Sequence, residues 1–131
     1  GGKTKFAPVY CVDVGKAIAR ALELKNTTPK IYEIAGPENY SFKELMEILL
    51  TEIKKKRFLI NIPFNIAKFQ SYFLQMLPKP ILTTDQVELL KYDNIPLGQY
   101  PNLNDLGIKG KTINSILPQY IYRFRTYGQF G

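Results

Sequence analysis

Lys54-Lys55-Lys56-Arg57 is the densest grouping of chemically capable side chains in this sequence. Adjacent cations of this kind hold anions, from a phosphate to a nucleic-acid backbone. At the end of a helix they also suit the negative pole of its dipole, which is the blander reading. Nucleic-acid binding wants aromatics interleaved with charges on an open face. The neighbouring aromatics fall in apolar stripes instead, so no nucleic-acid partner is expected. Cys11 is the only thiol. It is either a reactive group or a small buried hydrophobe, and the second is the commoner role. Asp13 and Glu44 stand where helix caps belong, and the other carboxylates are scattered. The chain has no histidine, which removes the commonest general base and the commonest metal ligand. With one cysteine, no metal site is expected. No glycine-rich phosphate loop is present: Gly1-Gly2 follows no strand, and Gly107 and Gly110 lie in a loop. These residues do not add up to a catalytic site, and none is assigned.

The elements that would position such groups begin at PVYCVDVGKAIARALEL. This stretch predicts a strand over Phe6 to Val12, a turn at Asp13 serving as N-cap, and a helix. Val14, Ala17, Ile18, Ala21 and Leu22 recur at helical spacing and form one apolar stripe. The helix is expected to end near Lys25, with Asn26 in a left-handed position and Pro29 beyond it. Ile31 to Ala35 predicts a second strand, closed by Gly36-Pro37. Ser41 with Glu44 is a capping box, and Tyr40 and Leu45 have the spacing of a hydrophobic staple. The helix they open carries Phe42, Leu45, Met46, Leu49, Leu50 and Ile53 on one face. Phe58 to Ile62 reads as a short strand or an extended connector. Phe64 to Leu77 predicts a largely apolar helix after Pro63, buried against partner protein or lying on a membrane surface. Thr83 with Gln86 forms a second capping box for a short helix to Lys91, with Val87 and Leu90 inward. Tyr92 to Lys111 is mostly loop, with one helical turn in LNDLGI. A last helix from Thr112 contains Pro118, which removes a helical hydrogen bond and predicts a kink.

The 131 residues suffice for one domain, and 45% hydrophobic content argues for a folded core. The net charge of +7 is compatible with nucleic acid, an anionic membrane surface, an anionic ligand or an ordinary solvated face. GGKTKFAPVY lacks the apolar core of a signal peptide. No transmembrane segment is expected, because Phe64 to Leu77 falls short of the roughly 20 apolar residues a span needs.

Several stretches together resemble the C-terminal part of extended, atypical short-chain dehydrogenases/reductases: PVYCVDVGKAIARAL, YEIAGPENYSFKELMEILL, LTTDQVELLKYDNI, NDLGIKGKTINSILPQYIYRFR and the final GQF. Within that family they resemble the branch of Rossmann-type accessory subunits of respiratory complex I and their bacterial relatives. The resemblance runs from Phe6 to Phe130. It implies an α/β fold, the C-terminal segment of an extended Rossmann-like protein, helix-rich with two or three short parallel strands. It also implies that residues 1–131 form a single substrate-side region whose N-terminal cofactor-binding half is absent. In the family that half carries the glycine-rich loop and, in active members, a Tyr–Lys acid/base pair. None of the nine tyrosines here has a lysine four residues later. NADP or NAD is therefore implied for the full-length family, and no cofactor is expected for this chain alone.

The implied role is structural and accessory, with catalysis by this chain left uncertain. The expected partners are the upstream half or another copy of the chain, and complex I membrane-arm components. The expected location is cytoplasmic, peripheral on a bacterial inner membrane, or on the mitochondrial matrix side. Two rival readings stand beside this one. One is a fragment of a sugar-nucleotide epimerase or reductase, with Lys3, Lys5 or Arg57 as the ligand or anion contact. The other is a basic membrane-surface or protein-interaction module built on Phe64 to Leu77. Two or three parallel strands without a central sheet would also have open edges, which predicts pairing with a sheet from elsewhere.

Overall fold

The computed structural model describes residues 2–24, 30–121 and 124 of the chain. Its elements in order are β1 (Lys5–Phe6), α1 (Cys11–Glu23), β2 (Tyr40–Ser41), α2 (Phe42–Glu52), α3 (Phe64–Leu74), α4 (Thr84–Leu89), a 3-10 turn (Asn104–Leu106) and α5 (Ile113–Ile121). The expected parallel α/β sheet is not what forms. The described residues are mostly helical, with one two-stranded antiparallel sheet in which Lys5 faces Ser41 and Phe6 faces Tyr40. A single parallel bridge joins Phe6 to Asn94.

The reasons are local. The strand expected over Phe6 to Val12 stops early because Pro8 has no N–H to give a ladder. The helix also begins sooner than the sequence suggested: the amides of Asp13 and Val14 both donate to the carbonyl of Tyr10. Tyr10 is thus the N-cap and Asp13 lies inside the first turn, so it is not the cap. Ile31 to Ala35 stays extended without becoming a strand. Glu33 N–H donates to Pro101 O at 2.8 Å, and Gly36 N–H donates to Ala7 O at 3.2 Å. Pro101 and Pro8 have no N–H to return, so neither contact grows into a ladder. The parallel edges that would recruit a partner strand are therefore not formed.

Gly36 is fixed by close approach. A Cβ there would lie 1.7 Å from the carbonyl oxygen of Pro8, which no side chain tolerates. α1 ends at Glu23 with Leu24 as its C-cap, close to the end expected near Lys25, while Asn26 and Pro29 lie outside the described residues. So do the last residues of the chain, including Phe130.

Both capping boxes form as the spacing predicts. Ser41 Oγ accepts from Glu44 N–H while Glu44 accepts from Ser41 N–H, and Thr83 with Gln86 repeats the arrangement. The 3-10 turn falls inside LNDLGI, and residues 58–62 are a connector. α5 passes through Pro118.

The core is small. Ala17, Leu103 and Leu106 are buried together, with Val9, Ala21, Tyr32, Ile34 and Ile108 packed around them. The predicted stripe of α1 divides: Ala17 is buried and Val14 and Ala21 half-buried, whereas Ile18 and Leu22 face outward. Elsewhere α3 packs on α4 and α2 on α5. An ion pair of Lys68 with Glu88 at 3.6 Å joins α3 to α4, and Val87 of α4 is buried.

Candidate functional site

Beyond α2 the chain reverses through a Schellman turn. Lys54 adopts φ 55°, the left-handed region. Its amide donates to Thr51 O at 3.1 Å, and the amide of Lys55 donates to Leu50 O at 3.0 Å. That pattern serves the carbonyls of Leu50 and Thr51 with backbone amides alone. The last turn of α2 contains no basic residue, so the four cations lie past the helix end. They border an open groove of about 690 Å³ together with Lys43, Phe58 and Leu59. Lys54, Lys55, Lys56 and Arg57 are all exposed, and none forms an ion pair among the described residues. Lys43 is paired with Glu47 at 3.5 Å, which leaves Glu47 as the single carboxylate on the groove wall. Phe58, next in the chain, is 99% exposed.

The sequence-derived contacts separate. Arg57 borders this groove, whereas Lys3 and Lys5 do not. Both of those lysines are exposed, near the start of α2. The amide of Lys5 donates to Asp93 Oδ1 at 2.8 Å. Cys11, the first residue of α1, is exposed and not buried as its type suggested.

Several carboxylates are occupied with local or long-range hydrogen bonds. Asp13 is 1% exposed and its Oδ2 accepts the amide of Lys111 at 2.9 Å, across a separation of 98 residues. Lys16 Nζ lies 3.7 Å from its other oxygen. Glu33 accepts the amides of Leu97 and Gly98 at 3.0 and 2.8 Å. Hydrogen bonds from the Ser41 backbone and hydroxyl hold Glu44 below the usual glutamate range. The Lys91 ammonium does the same for Glu88. The hydrogen bond from Tyr40 to Glu38 holds the phenol proton and pushes Tyr40 up to about 12.

A dinucleotide needs helix N-terminal amides free for its pyrophosphate. At α2 and α4 capping boxes already serve those amides, whereas α1 and α3 begin without a side-chain cap. Buried Asp13 lies in the first turn of α1, Ser41 and Glu44 close α2, and Thr83 with Gln86 closes α4 beside Asp85. No group of three His, Cys, Asp or Glu among the described residues is placed to hold a metal. No helix among them is long and apolar enough to cross a membrane.

Sequence reasoning missed Phe58 and Lys43 as groove residues. Phe58 was signalled by its position directly after the basic run, where no apolar period claims it. The tie from Asp13 to Lys111 had no signal at all.

No family model matches the chain. Among known proteins it is similar to the NADH-ubiquinone oxidoreductase 40 kDa subunit of Neurospora crassa, mitochondrial, at 30% identity over 96% of this chain and 34% of that protein. It is also similar to the mitochondrial NADH dehydrogenase [ubiquinone] 1 alpha subcomplex subunit 9 of Arabidopsis thaliana, at 30% identity over 100% of this chain and 35% of that protein. The subunit of the same name from Rattus norvegicus is 26% identical over 97% of this chain and 34% of its own length. The chain thus spans about a third of the length of the curated relatives it matches.

Proposed function

We propose, from the premise that this chain is homologous over most of its length to the accessory, short-chain-dehydrogenase-like subunits of NADH–ubiquinone oxidoreductase, that it is the C-terminal region of such a protein. In this reading it plays a structural, accessory part and does not catalyse alone. The carrying observation is the match over 96% of this chain against only 34% of the Neurospora protein. Two features support the same reading. The buried carboxylate, Asp13, is committed to a backbone tie. Large apolar side chains such as Ile18, Leu22 and Ile31 stand exposed, where a further part of a protein would cover them.

The nicotinamide cofactor, NADP or NAD, then belongs to a part of the protein other than these residues. The assembled protein lies peripherally against membrane-arm components of complex I, on the matrix side in mitochondria or at the inner membrane in bacteria. Arg57, within the cation-rich groove, is the anion contact of this region. The test has two arms. Isothermal titration of NADPH into the 131-residue chain is expected to show no micromolar binding, and such binding overturns the structural reading. The chain expressed with an affinity tag is expected to comigrate with complex I on native gels, and its exclusion from the complex overturns the assignment to that assembly.

A further inference from the structure

The groove beyond α2 presents two kinds of surface side by side. Four cations stand past the helix end, where the amides of the Schellman turn already serve the carbonyls of Leu50 and Thr51. Directly after them, Phe58 is 99% and Ile60 82% exposed. A small free anion would engage the cations and leave the phenyl ring in water. A bilayer surface takes both, with headgroup phosphates against the ammonium groups and the ring at the acyl boundary. We propose that Lys54 to Arg57 with Phe58 form a docking point for the surface of an anionic phospholipid bilayer. Charge complementarity selects this occupant: one carboxylate, Glu47, faces five cations on the groove wall, and Lys43 already engages it. The proposal rests on the anion-contact reading of the groove and is independent of the kinship with complex I subunits.

The experiment is co-sedimentation of the 131-residue chain with phosphatidylcholine vesicles, with and without phosphatidylserine. A parallel titration uses inorganic pyrophosphate. Binding is expected only with phosphatidylserine and is expected to weaken as salt rises. Replacing all four cations by glutamine (K54Q, K55Q, K56Q and R57Q) lowers vesicle binding by at least about tenfold. Phe58→Ser lowers vesicle binding while leaving pyrophosphate binding unchanged, and Lys79→Gln changes neither. Circular dichroism confirms that the variants, all at exposed positions, remain folded. Pyrophosphate binding without vesicle binding overturns the bilayer proposal and leaves the anion contact standing. Absence of both overturns the two together. Equal binding to vesicles lacking phosphatidylserine, or binding indifferent to the substitutions, overturns the proposal. So does tighter binding to an oligonucleotide that ignores Phe58→Ser.

Discussion

The region around α1 and the segment from Lys54 to Leu77 are built on opposite plans. Around α1, polar groups far apart in sequence close on one another: Asp13 on Lys111, Glu33 on Leu97 and Gly98, and Thr4 on the carbonyl of Leu90. Thr4 and Asp13 are buried, so the bonds they make are sheltered from water and costly to leave unmade. From Lys54 to Leu77 the backbone bonds are short-range turns and helix ladders, and the longer ties are side-chain ones, Lys68 with Glu88 and Thr84 with Gln75. The side chains there, Phe58 and Ile60 and then Ile66, Phe69, Tyr72, Phe73 and Met76, stand in water. The contrast separates a part that organises the chain from a part that faces outward. Stability is therefore expected to respond to substitutions in the first and surface binding to substitutions in the second.

The comparison breaks most sharply at Gly36. Gly36→Ala drives a methyl into the Pro8 carbonyl. It is expected to cost about 3 kcal/mol or more, read as a large fall in thermal midpoint or as failure to fold. An unchanged midpoint in the Gly36→Ala variant would show that residues 7–9 and 35–37 are not held together in solution. Next comes Asp13→Ala, which strips the buried acceptor from the Lys111 amide and is expected to cost about 2 kcal/mol. Asp13→Asn keeps an acceptor oxygen, so it should lose less. Limited proteolysis within residues 96–111 should rise in the alanine variant and stay near the parent in the asparagine one.

Smaller effects sharpen the distinction. Ser41→Ala removes half of a capping box and is expected to cost about 1 kcal/mol. The same cap gives a pH signature. The folded value of Glu44 lies below its ordinary one, so its stabilising contribution is complete above the usual glutamate range. That contribution is lost as pH falls through the lowered folded value. Denaturant melts across the acid range should show a decline that Ser41→Ala reduces. The smallest changes should stabilise. Lys54→Gly relieves a left-handed backbone at about 1 kcal/mol, and Gly15→Ala fills open space on α1 at roughly 0.5–1 kcal/mol. Chemical denaturation curves resolve both, and a loss of stability in either variant contradicts the backbone conformation at that position.

The helices were legible wherever their signals were local. Ser41 with Glu44 and Thr83 with Gln86 could be paired from spacing alone because each box closes within three residues. The strands were not. Phe6 to Val12 and Ile31 to Ala35 have strand-like composition, and the outcome turned on which neighbours lay opposite. Those neighbours included Pro101, which accepts a hydrogen bond but returns none. The site was legible in half: the basic run was visible in the sequence, while the exposure of Phe58 and the left-handed turn at Lys54 emerge only in the folded chain.

By itself, then, the amino-acid order determined the capped helices, the cationic run and the kinship, since each is written in residues that are neighbours or in their sequential pattern. Only the tertiary structure decided that Asp13 anchors Lys111 and is no cap, that Gly36 must lie against Pro8, and that β1 meets β2 antiparallel. Those outcomes depend on which distant groups are brought together when the chain closes on itself, and a buried carboxylate takes the amide that the closed chain delivers to it.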